Sequence, residues 1–324
     1  MSESMLKQPH ANKKWVFGIF LGVVVLVLFI CFILVISAFQ QVVGGSGNFI
    51  LNSSNQIALL SIRGPIVSSE PILEKIHAFR YSHLKVLILR LNSPGGAVAP
   101  SQEIYSEILK ARKKNHKIII ASMSSVAASG AYYIASACNK IVADPGTITA
   151  SIGVIAEFPD ATNLLNKLGI KFVDIKSGKF KDTGNFDRNL TPAERIYLQK
   201  TINQVFHQFL NAVIHCRKKD FAQKLAQDFK VPIHEITQQE IKHYVLQFAD
   251  GRILNGQKAY QLGFVDQLGN FYDAVDLGAK LAGIKGHPIL RSENPMRWGH
   301  MIESLVPWHY VSSVGNFNLE YRLF

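Results

Sequence analysis

Two glycine-bearing turns in this chain, each set after an apolar run, carry residue types that could assist attack on a carbonyl. The first is NSPGG (92–96), after VLILRL (86–91). Pro94 fixes its own φ, while Gly95 and Gly96 can adopt positive φ and bring backbone N–H groups close to a ligand. The second is AASG (127–130), after KIIIAS (117–122) and at the head of ASGAYYIASAC (128–138). Ser129 therefore stands where a helix begins, among N–H groups with no intrahelical acceptor and at the positive end of the dipole. That setting suits a nucleophile whose attack creates an oxyanion nearby. Taken singly, each turn also has a plainer reading: NSPGG as a tight turn, AASG as a helix start made small for close packing.

A nucleophilic serine needs a base. His83 precedes both turns, His116 precedes the second strand, and His207 is the next histidine after Ser129 but sits on no motif. The lysines of KSGKFKDTG (176–184) are better placed, in a polar loop that follows the strand-like run KFVDI (171–175). A lysine becomes an effective base when desolvation beside apolar groups lowers its pKa, and Phe180 is an apolar neighbour. The alternative is a solvated basic loop, which composition alone favours because lysine is seldom buried.

The elements that must position these groups alternate. IALLSI (57–62) reads as a strand and SEPILEKIHAF (69–79) as a helix with Ser69 as N-cap. VLILRL is a continuous apolar run of the kind buried on both faces. APSQEIYSEILKAR (99–112) is helical, with Ile104, Ile108 and Ala111 on one face. KIIIAS, the helix of 128–138 and the strand KIVAD (140–144) follow. Strand-then-helix spacing predicts an α/β fold with a parallel sheet. Thr191, Pro192 and Glu194 form a capping box with the preferred proline, opening a helix of about five turns through Val213. A last helix pair flanks the turn DGRILNG (250–256), and the residues after Gly286 carry little regular pattern.

The chain has 324 residues, 48% hydrophobic and 18% charged, which suits one large domain or two small ones. Residues 15–39 contain no charge and are apolar on every face, long enough for a hydrocarbon core of roughly 30 Å. The run exceeds the apolar part of a secretory signal, so an uncleaved anchor is expected, with cleavage near Ser37 and Ala38 as the alternative. Lys7, Lys13 and Lys14 precede it and no charge follows until Arg63, which puts residues 1–14 in the cytoplasm and the body outside. Residues 40–56 read as a flexible linker. The net charge of +12 suits a body held beside anionic membrane lipid. Its basic residues are dispersed, without zinc-finger spacing or basic-aromatic interleaving, so no nucleic acid partner is expected. Cys138 and Cys216 lie in the body, where a disulfide or, for Cys138, a buried free thiol is open. No cysteine pair has metal-ligand spacing.

Six motifs in order, LRLNSPGGAV, SVAASGAYYIASAC, DPGTITASIGVI, SGKFKD, TPAERIYLQ and GRILNGQKAYQLGFVDQLG, resemble the signal peptide peptidase A family in its half-length form. These are bacterial membrane serine proteases with a Ser–Lys dyad, and the resemblance covers about residues 57–275. It implies a Clp protease/crotonase-like spiral of ββα repeats, preceded by one N-terminal transmembrane helix. The implied peptidase domain is 57–285, and the extension 286–324 has no assigned role. By position, Ser129 matches the nucleophile and Lys181 the general base, with Lys179 the second choice. The N–H groups of Gly95 or Gly96 and of Gly130 match the oxyanion hole. No metal or organic cofactor is implied. The family builds bowl-like homo-oligomers in which, for half-length members, serine and lysine meet across a subunit boundary. The implied substrates are cleaved signal peptides and other hydrophobic peptides, cut on the extracytoplasmic side of the bacterial inner membrane. Two departures from the family pattern, Ala131 and Ala150 in place of glycine, each add a methyl near the site. The rival readings are a crotonase-like acyl-CoA enzyme, a non-catalytic membrane scaffold with the same fold, and a sister protease that cuts membrane-protein tails.

Overall fold

Runs such as VLILRL become central strands because a strand covered on both faces leaves little room for polar side chains. The computed structural model describes residues 55–292 and 320–321. The expected anchor at 15–39 and the segment 1–14 lie outside the described residues. Among the described residues, no helix is long and apolar enough to cross a membrane. The first part of the chain runs β1 (Gln56–Arg63), α1 (Glu70–Tyr81), β2 (Val86–Ser93), β3 (Gly96–Ala97), α2 (Val98–Asn115), β4 (Ile118–Ala128), α3 (Gly130–Ser136), β5 (Lys140–Ala143) and β6 (Ile148–Ala150). It continues with α4 (Thr162–Leu168), α5 (Pro192–Phe229), α6 (Gln238–Leu246), β7 (Ile253–Asn255), α7 (Gly256–Gln261), β8 (Gln267–Leu268), α8 (Phe271–Leu281), β9 (Ile289–Ser292) and β10 (Glu320–Tyr321).

The main sheet has the order β7–β6–β4–β2–β1–β9, with β5 against β4 and β8 against β5. All its pairings are parallel except β6–β7, as the alternation of strands and helices predicts. Successive side chains of a strand point to opposite faces, and β2 feeds two cores accordingly. Leu87, Leu89 and Leu91 join Ile76 of α1, Ile108 of α2, Tyr132 of α3 and Phe209 of α5. Val86 and Ile88 join Ile57, Ile120 and Val142 beneath Ala274, Val275 and Ala279 of α8. The sheet is thus a middle layer, which is why the first halves of β2 and β4 are apolar on both faces.

Four local outcomes differ from the sequence pattern. Strand β4 runs to Ala128, well past the six residues expected, because its second half gains a new neighbour in β6. Helix α5 continues to Phe229, with Phe221, Ala222 and Leu225 buried in its added turns. Residues 171–175 have strand-like composition but pair with no strand among the described residues, leaving Val173 86% and Ile175 100% exposed. Residues beyond 285 extend the sheet, since β9 pairs in parallel with β1 from Gln56↔Ile289 onward. The two body cysteines are free thiols. Burial pushes the Cys138 thiol up to about 12, while Cys216 Sγ lies 3.0 Å from the Tyr105 hydroxyl.

Helix α5 is locked to the sheet edge by buried charge. Arg217 donates to Asp266 Oδ2 at 2.6 Å and to Gly263 O at 3.0 Å, and Lys140 Nζ donates to Asp266 Oδ1 at 2.6 Å. The Ile141 N–H adds a bond of 2.8 Å to the same carboxylate. Burial alone would raise the Asp266 pKa, but Arg217 and Lys140 hold it below the usual carboxylate range. Removing one partner of such a cluster strands the other charge. Asp266→Ala is therefore expected to destabilise the protein by roughly 3–5 kcal/mol, read as a lower midpoint in urea unfolding.

Candidate active site

The site is built at the carboxyl ends of β2 and β4. Their ladder runs in register from Val86↔Ile118 to Leu91↔Met123 and then slips, so that Ser93 pairs with Ala127. The slip leaves extra residues on β4, and the side chain of Asn92 accepts the Val126 N–H there at 3.3 Å. This places NSPGG beside the end of β4, and α3 packs against β3. The two motifs singled out from sequence are therefore brought together.

At NSPGG, Gly95 and Gly96 have φ of 104° and 154°. A Cβ on Gly96 would lie 2.3 Å from Ile66 O, so glycine is required where this turn presses on the segment after β1. That contact is a short ladder: Ile66 N–H donates to Gly95 O at 2.8 Å and Ala97 N–H to Ile66 O at 2.7 Å. The Gly95 N–H donates to Ser93 Oγ at 3.1 Å. The other edge of β3 pairs antiparallel with β10, Glu320↔Ala97 and Tyr321↔Gly96.

At AASG, Ser129 adopts φ 53°, ψ −118°, a region that costs a non-glycine residue on the order of 1–3 kcal/mol. Its N–H donates to Ala150 O at 2.7 Å and its carbonyl accepts the Tyr133 N–H at 2.8 Å. The side chain is fully buried, and Oγ has no hydrogen-bond partner among the described residues. Gly130 follows as the first residue of α3, where helix geometry leaves the N–H without an intrahelical acceptor. Helix α3 is held from every side: Tyr132 donates to Phe264 O at 3.0 Å, and the Tyr133 ring meets those of Tyr105 and Phe209. Ala131 and Ala150 are both fully buried in the main core. Ala150 and Ser151 have φ of 62° and 53°, which explains why a glycine would be at ease there.

The lysine loop is organised separately. Lys179 and Lys181 are exposed, on a run of turns closed by Lys181 N–H to Gly178 O at 3.1 Å and Thr183 N–H to Phe180 O at 3.3 Å. Phe180 stacks on Tyr197 at 5.2 Å and receives Lys179 Nζ over its face at 5.0 Å. Lys181 lines an open cleft of ≈ 710 Å³ with Asp174, Phe158 and Gly184 among others. Because Ser129 Oγ has no partner, neither lysine nor any of His83, His116 and His207 hydrogen-bonds to it within the chain.

Composition and spacing left one group unnoticed. Arg188 donates through Nε to Asp182 Oδ2 at 2.8 Å and through Nη2 to Glu194 Oε1 at 2.6 Å. Glu194 is the capping-box residue expected from sequence, and its Oε2 accepts the Thr191 N–H at 2.8 Å. The Arg188 hydrogen bond, with help from Thr191, pulls the Glu194 carboxyl down to about 2. Arg188 and then Lys176 hold Asp182 well below the usual carboxylate range. The even spacing of Asp182, Arg188 and Glu194 was the available signal.

Known proteins resemble this chain over the same region. The profile described as peptidase family S49 matches residues 111–239, a stretch containing both Ser129 and Lys181. A protein named as a protease in Synechocystis sp. is 36% identical over 238 residues, covering 73% of this chain and 78% of that one. Protease 4 of Haemophilus influenzae is 31% identical over 242 residues, 71% of this chain and 35% of its own length. A signal peptide peptidase of Enterococcus faecium is 34% identical over 193 residues, 60% of this chain and 50% of the other.

Two outcomes follow from this geometry. A buried hydroxyl without a partner costs about 1–3 kcal/mol, so Ser129→Ala is expected to leave Tm unchanged or raised, measured by calorimetry. The depressed carboxylates act with the opposite pH sense to a raised group. Their stabilisation is present above the unfolded value near 4 and is lost as pH falls toward about 2. Hydrogen exchange in residues 176–194 should accelerate across that window, and loss of protection already above pH 5 would contradict the assignment.

Proposed function

The chain belongs to peptidase family S49, and on that premise we propose that it is a membrane-anchored serine endopeptidase acting through an acyl-enzyme. The observation that carries this reading is the Ser129 hydroxyl. It is held in the strained AASG turn, buried and unbonded, beside the glycine turn NSPGG. A fold that leaves such a group unpaired and strained puts function before stability.

In the proposed reaction, Ser129 Oγ attacks the scissile carbonyl while Lys181 takes its proton. The oxyanion is received by N–H groups of the Gly95–Gly96 turn and of Gly130; Gly96 is the better donor of the first pair, since Ser93 Oγ accepts from Gly95. Lys181 returns the proton to the leaving amine, and water then releases the acyl group. Lys179 is the second choice for the base. No metal or organic cofactor enters this scheme.

Lys181 makes no bond to Ser129 in its own chain, which supports a dyad shared between copies in a homo-oligomer. The apolar residues exposed along 162–175, Leu164, Leu168, Ile170, Phe172, Val173 and Ile175, support burial against another subunit. The pairing of β10 with β3 supports substrate binding as an added antiparallel strand. We read the fold as the Clp protease/crotonase-like spiral and residues 15–39 as a single-pass anchor. Together these assign the body to the extracytoplasmic side of a bacterial inner membrane, near its lipid. The substrates are then cleaved signal peptides and other hydrophobic peptides left there.

Lys181→Ala is expected to lower kcat for a hydrophobic reporter peptide by about 10²–10⁴-fold, and Ser129→Ala to abolish turnover. Co-assembly of the two inactive variants should restore part of the wild-type rate. Undiminished activity in Lys181→Ala would remove it from the role of base, and absence of rescue on mixing would place both groups in one subunit.

A further inference from the structure

A general base must be held to within about 0.5 Å of its working position, yet Lys181 belongs to neither a helix nor a strand. Its loop is fastened by charged groups to the N-terminus of α5, and the fastening is Arg188. Its Nε and Nη2 reach Asp182 Oδ2 and Asp182 O at 2.8 and 3.2 Å, gripping the residue next to Lys181 by side chain and backbone. Its Nη2 and Nη1 reach the two oxygens of Glu194 at 2.6 and 3.0 Å. Glu194 is itself held by several bonds. It is 2% exposed, it closes the capping box of α5 through Thr191, and it accepts Thr183 Oγ1 at 3.2 Å from the loop.

Charge matters here as much as distance. Asp182 adjoins Lys181 in the chain, and a carboxylate within about 4–6 Å favours the protonated amine, which cannot act as a base. Both Asp182 oxygens are already taken, Oδ1 by Lys176 and Oδ2 by Arg188. Two carboxylates, Asp182 and Glu194, thereby face two cations, Lys176 and Arg188, and Lys181 is left out of the pairing.

We propose that Arg188 is a positioning residue for the base: it ties the Lys181 loop to the capped start of α5 and withholds the Asp182 carboxylate from Lys181. This rests on the reading of Lys181 as base. It assigns Arg188 no contact with substrate.

The test compares kcat and KM of the full-length protein on one reporter peptide, with Tm as a control for folding. Arg188→Gln should lower kcat by about 10–100-fold, the cost of misplacing a catalytic group by an ångström or so, with KM within twofold. Arg188→Lys, which keeps the charge, should recover part of the loss. The discriminating variant is the double change Arg188→Gln with Asp182→Asn, which removes the freed carboxylate and should turn over faster than Arg188→Gln alone. A purely structural role predicts the reverse, because the double variant has lost more of the clamp. Wild-type kcat in Arg188→Gln, or a double variant no faster than the single one, overturns the proposal. If Arg188→Gln does not fold, Arg188→Lys decides on the same readout: a positioning role requires kcat to fall below wild type with KM within twofold, and wild-type kcat in Arg188→Lys overturns the proposal. Lys181→Ala is run alongside. Full activity there defeats the base assignment itself, whereas an inactive Lys181→Ala beside an unaffected Arg188→Gln defeats only the clamp.

Discussion

The hydrogen bond from Ser129 N–H to Ala150 O carries the β4–β6 ladder one residue past Ala128. At the same residue, the carbonyl must point the other way to accept Tyr133 N–H and open α3. A strand amide and a helix carbonyl on one residue are reconciled at φ 53°, ψ −118°. The strain is absorbed because both neighbours are rigid: β4 is paired on both edges, and α3 is buried along its whole length. Ala150 and Ser151, in left-handed conformations of their own, belong to the same compromise. The seat of the nucleophile is therefore a property of the sheet rather than of a loop.

Much of this was legible in the residues, and the rest was hidden for identifiable reasons. VLILRL and IALLSI announced two-sided strands because apolarity is the direct consequence of being covered on both faces. The second half of β4, SMSSVAA, carries no such mark. Its serines serve polar work at the strand end: Ser122 and Ser124 receive Arg90 at 2.8 and 3.1 Å. Residues 171–175 gave the reverse error, since β-branched and aromatic composition describes a surface fit for pleated burial and not the presence of a partner. Thr191 and Glu194 were readable as a cap from their spacing alone. That Glu194 also receives Arg188 depends on how a loop folds back, which no local periodicity encodes.

The two halves of the candidate site are held by different physics. Ser129 and the glycine turns rest on backbone ladders and packed aromatic rings, which are insensitive to salt and to moderate pH. The Lys181 loop rests on ion pairs over an open cleft, where screening and protonation act directly. Cys138 and Cys216 contribute to neither as a crosslink, since both are free thiols.

Helix α5 joins the halves, and its length has a mechanical consequence. Arg217 pins it within the core, whereas between Leu198 and Phe209 no residue is fully covered. Glu194 and Arg217 are twenty-three residues apart, about 35 Å at 1.5 Å per residue. A rod pivoted at Arg217 converts a tilt of about five degrees into roughly 3 Å of travel at its tip on that helical rise. The lysine loop is tethered at that tip. Any contact that leans on the free stretch of α5 thus gains leverage over the loop without touching it.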